Sequence, residues 1–273
     1  MSLSKKPTFI LGVGAQKTGT TWLHKQLSQC NSVNMGCLKE YHIWDANFNP
    51  LMQSFIAHSK KNETSVHRLR RLMQNTYGAY EAYFLSLINQ NIRITGDITP
   101  SYSMLNSEQL ITIKERLESS GFNVKIVYFM RDPVMRSWSA LRMELKEKIQ
   151  SGLKIDNRAL LSEFESFYTS PQCQARTKYK DTVNAIRSSF EKNQIFIGFY
   201  ENIFQINNLQ ALSDFLEINL VNANIETKIN TSPSFELTFE KYMQCHKYYS
   251  EVYAYCFDEF PITKELWGNL IVR

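Results

Sequence analysis

Two clusters in this chain have residue types and spacing suited to holding phosphate. The first is Gln16-Lys17-Thr18-Gly19-Thr20-Thr21, which follows an apolar run from Phe9 to Val13 and opens on a stretch carrying Trp22, Leu23 and Leu27. Gly14 and Gly19 free the backbone to turn its N–H groups around an anion. A helix starting near Thr20 adds unsatisfied donors and the positive end of its dipole. An ATPase loop reads G-x-x-x-x-G-K-[ST], with lysine after the second glycine and a hydroxyl on Mg²⁺. Here Lys17 precedes Gly19, and Thr20 stands where that lysine would be. Two threonines and a displaced lysine suit a single 5′-phosphate with a transferable group beside it better than a Mg-triphosphate. The second cluster begins at Arg131, where the run Lys125 to Met130 ends. Asp132 has the chemistry of an N-cap and Pro133 that of a first helical residue. The helix that follows buries Val134, Trp138, Leu141 and Leu145, and Ser139 lies two turns in, off that stripe. Arginine offers a planar fork to phosphate oxygens and serine one further donor. Arg136 and Arg142 read as solvated helix residues.

The segment Gln16 to Leu23 resembles the 5′-phosphosulfate loop of sulfotransferases that use 3′-phosphoadenosine-5′-phosphosulfate (PAPS). That family's 3′-phosphate motif, an arginine at a strand end and a serine eight residues later, is matched by Arg131 and Ser139. The resemblance implies that Gln16, Lys17, Thr18, Gly19, Thr20, Thr21, Arg131 and Ser139 bind PAPS and its product, adenosine 3′,5′-bisphosphate (PAP), and that no metal is needed. It continues through Gly96-Asp97-Ile98-Thr99-Pro100-Ser101-Tyr102 and, more weakly, through Phe199-Tyr200-Glu201-Asn202.

Sulfuryl transfer to a hydroxyl needs a base for the acceptor proton and cations for the leaving phosphate. The Glu-x-His-x-x-Asp spacing of Glu40, His42 and Asp45 is similar to carbohydrate sulfotransferases of the heparan sulfate type, more than to the cytosolic type. On that analogy Glu40 is the base, Lys17 neutralises the bridging oxygen, and Lys39 is a secondary cation. Lys39, His42 and Asp45 are the candidates for acceptor contact. His42 is the alternative base, since cytosolic sulfotransferases use a histidine and its ordinary pKa is near neutral. Asp45 also reads as a cap or structural acid. Ile98 stands where heparan 3-O-sulfotransferases carry lysine, and the cytosolic enzymes' C-terminal Arg-Lys-Gly segment is missing. Lys241, Lys247 and Lys264 are candidates for a late cofactor contact. The expected acceptor is a carbohydrate, glycolipid or small metabolite, with a hydroxyl or an amine. The alternatives are a nucleotide or metabolite kinase and a non-catalytic nucleotide-binding module.

These clusters must be brought together by elements far apart in sequence. Ile92 to Ile98, Val124 to Met130 and Ile195 to Tyr200 read as buried strands, each leading to a polar or helical segment. The expectation is an α/β fold: a P-loop-type parallel sheet flanked by helices on both faces, one domain over residues 1–273. Ligands then bind at the carboxyl ends of the strands, where the first loop, Asp97 to Pro100 and Arg131 to Pro133 converge. Residues 46–90 are helical in pattern, with a basic stretch at His67 to Arg71 and aromatic Tyr77, Tyr80, Tyr83 and Phe84. They form a plausible acceptor-side cap.

The chain of 273 residues carries a net charge of +5 without a long basic run, which does not suit nucleic acid but suits a polyanionic small ligand. No run approaches the roughly 18 apolar residues of a membrane span, and no signal segment precedes the first strand, so a cytoplasmic protein is expected. The Met1-Ser2-Leu3 start leaves a removed N-terminal anchor open. Five scattered cysteines without a C-x-x-C pair read as reduced, buried thiols.

Overall fold

A computed structural model describes residues 5–150, 156–220 and 235–268; Met1 to Leu3 lie outside the described residues. Four parallel strands form one sheet in the order β2-β1-β3-β4, with β1 Thr8–Gly14, β2 Ile94–Ile98, β3 Asn123–Met130 and β4 Ile195–Phe199. Each lies within two residues of its expected run. Between β1 and β2 come α1 (Thr20–Ser28), α2 (Trp44–Phe48), a 3₁₀ turn (Pro50–Phe55), α3 (Ser65–Asn75) and α4 (Ala79–Ser86). A second 3₁₀ turn (Pro100–Met104) and α5 (Ser107–Ser119) lead to β3, and α6 (Pro133–Gln150), α7 (Asn157–Tyr168), α8 (Pro171–Ala175) and α9 (Tyr179–Ser189) lead to β4. The chain continues through α10 (Ile206–Leu216), α11 (Phe239–Tyr248), α12 (Ser250–Glu259) and α13 (Ile262–Gly268).

Successive side chains of a strand point to opposite faces, and here both faces are apolar. Phe9, Leu11 and Val13 join Val124, Ile126, Tyr128 and Met130 in one core with Leu110, Leu117, Trp138, Tyr179 and Trp267 from the helices. Ile10 joins Val127, Phe129 and Ile98 in a second core with Trp22, Leu23 and Leu27 of α1 and Leu209 and Leu212 of α10. Each fully buried large apolar side chain contributes about 1.5–3 kcal/mol, so the two cores fix the strand order. The central strands β1 and β3 end side by side, and that edge carries the phosphate-binding candidates. The segment between β1 and β2 is helical as expected. Tyr80 and Phe84 are core residues of α4, whereas Tyr77 is 85% exposed. All five cysteines are free; Cys173, Cys245 and Cys256 are buried, but Cys37 is exposed.

Candidate active site

The first loop is shaped by its backbone. Gly14 ends β1 at φ 116°, and a Cβ there would lie 2.4 Å from the Pro100 carbonyl oxygen, so glycine lets the loop approach the turn after β2. Ala15 N–H donates to Phe129 O (2.7 Å), and the buried Thr18 hydroxyl donates to Ala15 O (2.6 Å). Lys17 and Gly19 take φ of 71° and 92°, curling the chain into α1. Gly19 is the N-cap of α1 and supplies no side chain, so no cap covers the first-turn N–H groups.

Arg131 reaches this loop across 114 positions of sequence: its Nη1 donates to Lys17 O (3.1 Å), and its guanidinium lies 4.2 Å from the centre of the Tyr200 ring. Asp132 is engaged elsewhere. Its Oδ1 accepts Met135 N–H (2.7 Å), the expected N-cap of α6, and its Oδ2 accepts the Tyr253 (2.7 Å) and Tyr242 (3.1 Å) hydroxyls. Burial pushes the Asp132 pKa up against those donors. Glu201 steadies the same turn by accepting Asp132 N–H (2.9 Å) and Trp267 Nε1–H (3.0 Å). Ser139 is buried on α6. Arg142, one turn further, lies close enough for the Arg131 charge, after burial, to lower its pKa, and its Nε is buried without a partner.

Arg136 is therefore not solvated, and Arg142 is only partly exposed. Arg136 is 0% exposed, and its Nη2 donates to Thr177 Oγ1 (2.6 Å), Cys173 Sγ (2.9 Å), Ser137 Oγ (3.1 Å) and Cys173 O (3.3 Å). The reason is tertiary: Cys173 of α8 and Thr177 just beyond it close over Arg136 from a distant part of the chain.

The acid–histidine segment forms a chain of charged groups. Glu40 Oε2 is 3.3 Å from His42 Nε2, and His42 Nδ1 is 2.7 Å from Asp45 Oδ2. Lys39 pairs with the other Glu40 oxygen, and Ser101 donates its hydroxyl to Asp45 Oδ2. The His42 ring stacks on Phe55 at 3.7 Å. Burial alone would raise the Glu40 pKa, but the His42 hydrogen bond and the Lys39 charge hold it at about 2. For His42, burial favours the neutral ring, but Asp45 and Glu40 overcome it and raise the pKa. At neutral pH the Glu40 carboxylate is thus ionised, and the imidazole is biased toward its charged, donating form.

This segment is held from outside. His42 sits at φ 55°, a left-handed conformation that a non-glycine residue keeps only under tertiary restraint. Arg70 donates Nε–H to Tyr41 O (2.8 Å) and Nη2–H to Glu40 O (2.9 Å), and Gln74 donates to His42 O (2.6 Å). From the end of β2, Thr99 Oγ1 accepts Tyr41 N–H (3.0 Å) and Tyr102 Oη accepts Ile43 N–H (3.2 Å). Both hydroxyls donate to Asp97 (2.7 Å each), as does Tyr80 (3.1 Å). Burial pushes Asp97 up to about 6 even so.

The structure thus brings Gln16 to Thr21 together with Arg131, and Lys39 with Glu40, His42 and Asp45. Asp45 is fully buried, so its described contacts are with His42 and Ser101. Lys241 lies 4.0 Å from Glu165 on α7, while Lys247 and Lys264 are exposed. Sequence reasoning gave no role to Ser101, Thr99, Tyr102, Arg70 or Arg176. The first three follow the carboxyl end of β2, where such sheets bind ligands, which was a usable signal. Arg70 stood only within the basic stretch His67 to Arg71, and Arg176 had no signal. Arg176 Nη1 donates to Gln16 Oε1 (3.0 Å).

A family model described as "Sulfotransferase domain" matches residues 7–255, nearly the whole of this chain. The chain belongs to the sulfotransferase family. Among solved structures, a sulfotransferase from Alicyclobacillus acidocaldarius is 18% identical, with 98% of this chain and 97% of that one covered and a TM-score of 0.59. At that identity the likeness is one of fold. The sulfotransferase domain from the curacin biosynthetic pathway (17% identity, 90% and 97% covered, TM-score 0.46) and sulfotransferase STF9 from Mycobacterium avium (12%, 93% and 77%, TM-score 0.45) are more distant in structure. No curated protein sequence matches this sulfotransferase. Among its described residues, no helix is long and apolar enough to cross a membrane.

Proposed function

We propose that this sulfotransferase moves a sulfonate from PAPS to a hydroxyl, with Glu40 as general base and the acceptor a small molecule, glycolipid or carbohydrate. The observation that supports it most is the relay Glu40–His42–Asp45, whose Ser101 anchor adjoins Pro100, the residue against which the phosphate loop turns at Gly14. When bound, PAPS supplies a sulfonate: the acceptor oxygen bonds to sulfur while the bond from sulfur to the 5′-phosphate oxygen breaks, leaving PAP.

The residues fit that ligand. Gly19, Thr20 and Thr21 offer uncapped N–H groups to a phosphate at the start of α1. Arg131, stacked on Tyr200 and in no ion pair among the described residues, offers its fork to the second phosphate, with Ser139 as a further donor. Lys17 stands in the loop to offset charge on the departing oxygen. Glu40 takes the acceptor proton at a carboxylate oxygen. His42, bonded at Nε2 to that carboxylate and at Nδ1 to Asp45, fixes its orientation and shares its charge, so Asp45 acts through His42. Lys39 steadies the anionic Glu40 between turnovers.

The test is calorimetry with PAP in EDTA. PAP should bind without a divalent metal and raise the melting temperature, as a ligand selective for the folded state must. Obligatory Mg²⁺, or ATP binding more tightly than PAP, would move the reading to a kinase.

A further inference from the structure

A cavity of about 610 Å³ opens beside the phosphate loop, with Gln16 in its lining. Leu51, Leu141, Leu145 and Phe167 give it an apolar flank. Its polar end holds two guanidiniums. Arg136 is fully buried, and although its Nη2 is well occupied, its Nε and Nη1 have no partner. Arg176 is half-buried; its Nη1 meets only the amide oxygen of Gln16, its Nη2 only the Met52 thioether (3.7 Å), and its Nε nothing.

Buried cations in proteins are ordinarily paired, because the desolvation cost is otherwise unmet. Here two share one cavity, and among the described residues neither forms an ion pair. Glu144 and Glu163 also line the cavity from its exposed side, and the Glu144 charge reaches Arg176. Arg176 also touches Met52, which lies in the 3₁₀ turn whose Phe55 stacks on His42 beside Glu40. An anion delivered here would therefore be attached to a molecule whose other end can reach the proposed base.

We propose that the acceptor is an amphipathic alcohol carrying an anionic group: Arg176 binds the anion, Arg136 adds positive field behind it, and the apolar body lies along Leu51, Leu141 and Phe167. This rests on the proposed sulfonate-transfer site, because the acceptor's hydroxyl is what Glu40 deprotonates. It narrows the acceptor from any hydroxyl compound to one with a charge and an apolar spacer, and it disfavours a neutral sugar.

The test uses octanoate and octan-1-ol, matched in chain and differing in charge, titrated by calorimetry into the PAP-saturated protein. Octanoate should bind about tenfold or more tighter than octanol, the scale of a hydrogen bond to a charged group. Arg176→Gln should abolish that difference, and Arg176→Lys, which keeps the charge, should retain part of it; a melting curve for each variant checks folding. Equal binding of the two probes to the unaltered protein would overturn the proposal, and so would a preference that survives in Arg176→Gln. The donor reading fails separately: if PAP itself does not bind while octanoate still depends on Arg176, the anion pocket stands and the PAPS assignment falls.

Discussion

The phosphate loop and the acid–histidine segment meet at the turn Pro100–Met104, yet they are built by opposite means. The loop takes its turns from its own residues: glycines at 14 and 19, the Thr18 hydroxyl returned to Ala15, and a helix that starts without a side-chain cap. Among its described hydrogen bonds it is tied from outside only by Phe129 O, Arg131 and Arg176. The segment from Lys39 to Asp45 has little local order of its own. Arg70 and Gln74 of α3, Thr99 and Tyr102 after β2, and Ser101 hold its backbone and its buried acid. A binding surface for phosphate needs donors in roughly the right places, and the loop's own turns supply most of them. A base that must meet one proton needs its carboxylate fixed, and here that fixation comes from two separate parts of the chain.

The largest expected effect falls on the second region. Glu40→Gln keeps the shape and removes the proton acceptor, so turnover at saturating PAPS should drop by ~10²–10⁴-fold with PAP affinity nearly constant. His42→Asn should cost less, since His42 acts on Glu40. If instead His42→Asn is inactive and Glu40→Gln is not, the histidine is the base and the comparison must be redrawn around it.

The mirror experiment strikes the first region. Arg131→Ala should weaken PAP binding by ~1.5–3 kcal/mol, roughly 10- to 100-fold, and the loss should largely vanish for a nucleotide lacking the 3′-phosphate. Calorimetry with the two ligands decides it. Equal losses would mean that Arg131 serves the loop through its bond to Lys17 O and not the phosphate.

A smaller effect sharpens the electrostatic half of the contrast. Glu40 is held at about 2 because His42 and Lys39 outweigh its burial. Removing a cation disfavours the carboxylate, so Lys39→Met should raise the Glu40 pKa toward the ordinary value of about 4.3. Activity that needs ionised Glu40 is lost as pH falls through that pKa. The acid limb of kcat/KM should therefore lie at higher pH in the variant than in the parent. A limb that does not move would mean that the Lys39 pairing is unimportant in the working enzyme.

The sequence by itself determined the four strands, the loop, the Asp132 cap and the apolar stripe of α6, because each follows from residues within a few positions of one another. Alternation of side chains and the chemistry of glycine, proline and aspartate act locally. It also brought out Glu40, His42 and Asp45, though as a spacing and not as a relay. Only the tertiary structure decided how these groups are charged and held. Arg136 looked solvated because the stripe of one helix says nothing of distant residues, here Cys173 and Thr177, that later meet its other side. The Glu40 pKa depends on His42, itself held in a left-handed conformation by residues from α3 and the end of β2. Arg176 carried no motif, and it became visible only when α8 was seen against Gln16. Local chemistry selects an element, whereas burial and electrostatic pairing exist only once distant elements meet, and the site's chemistry rests on both.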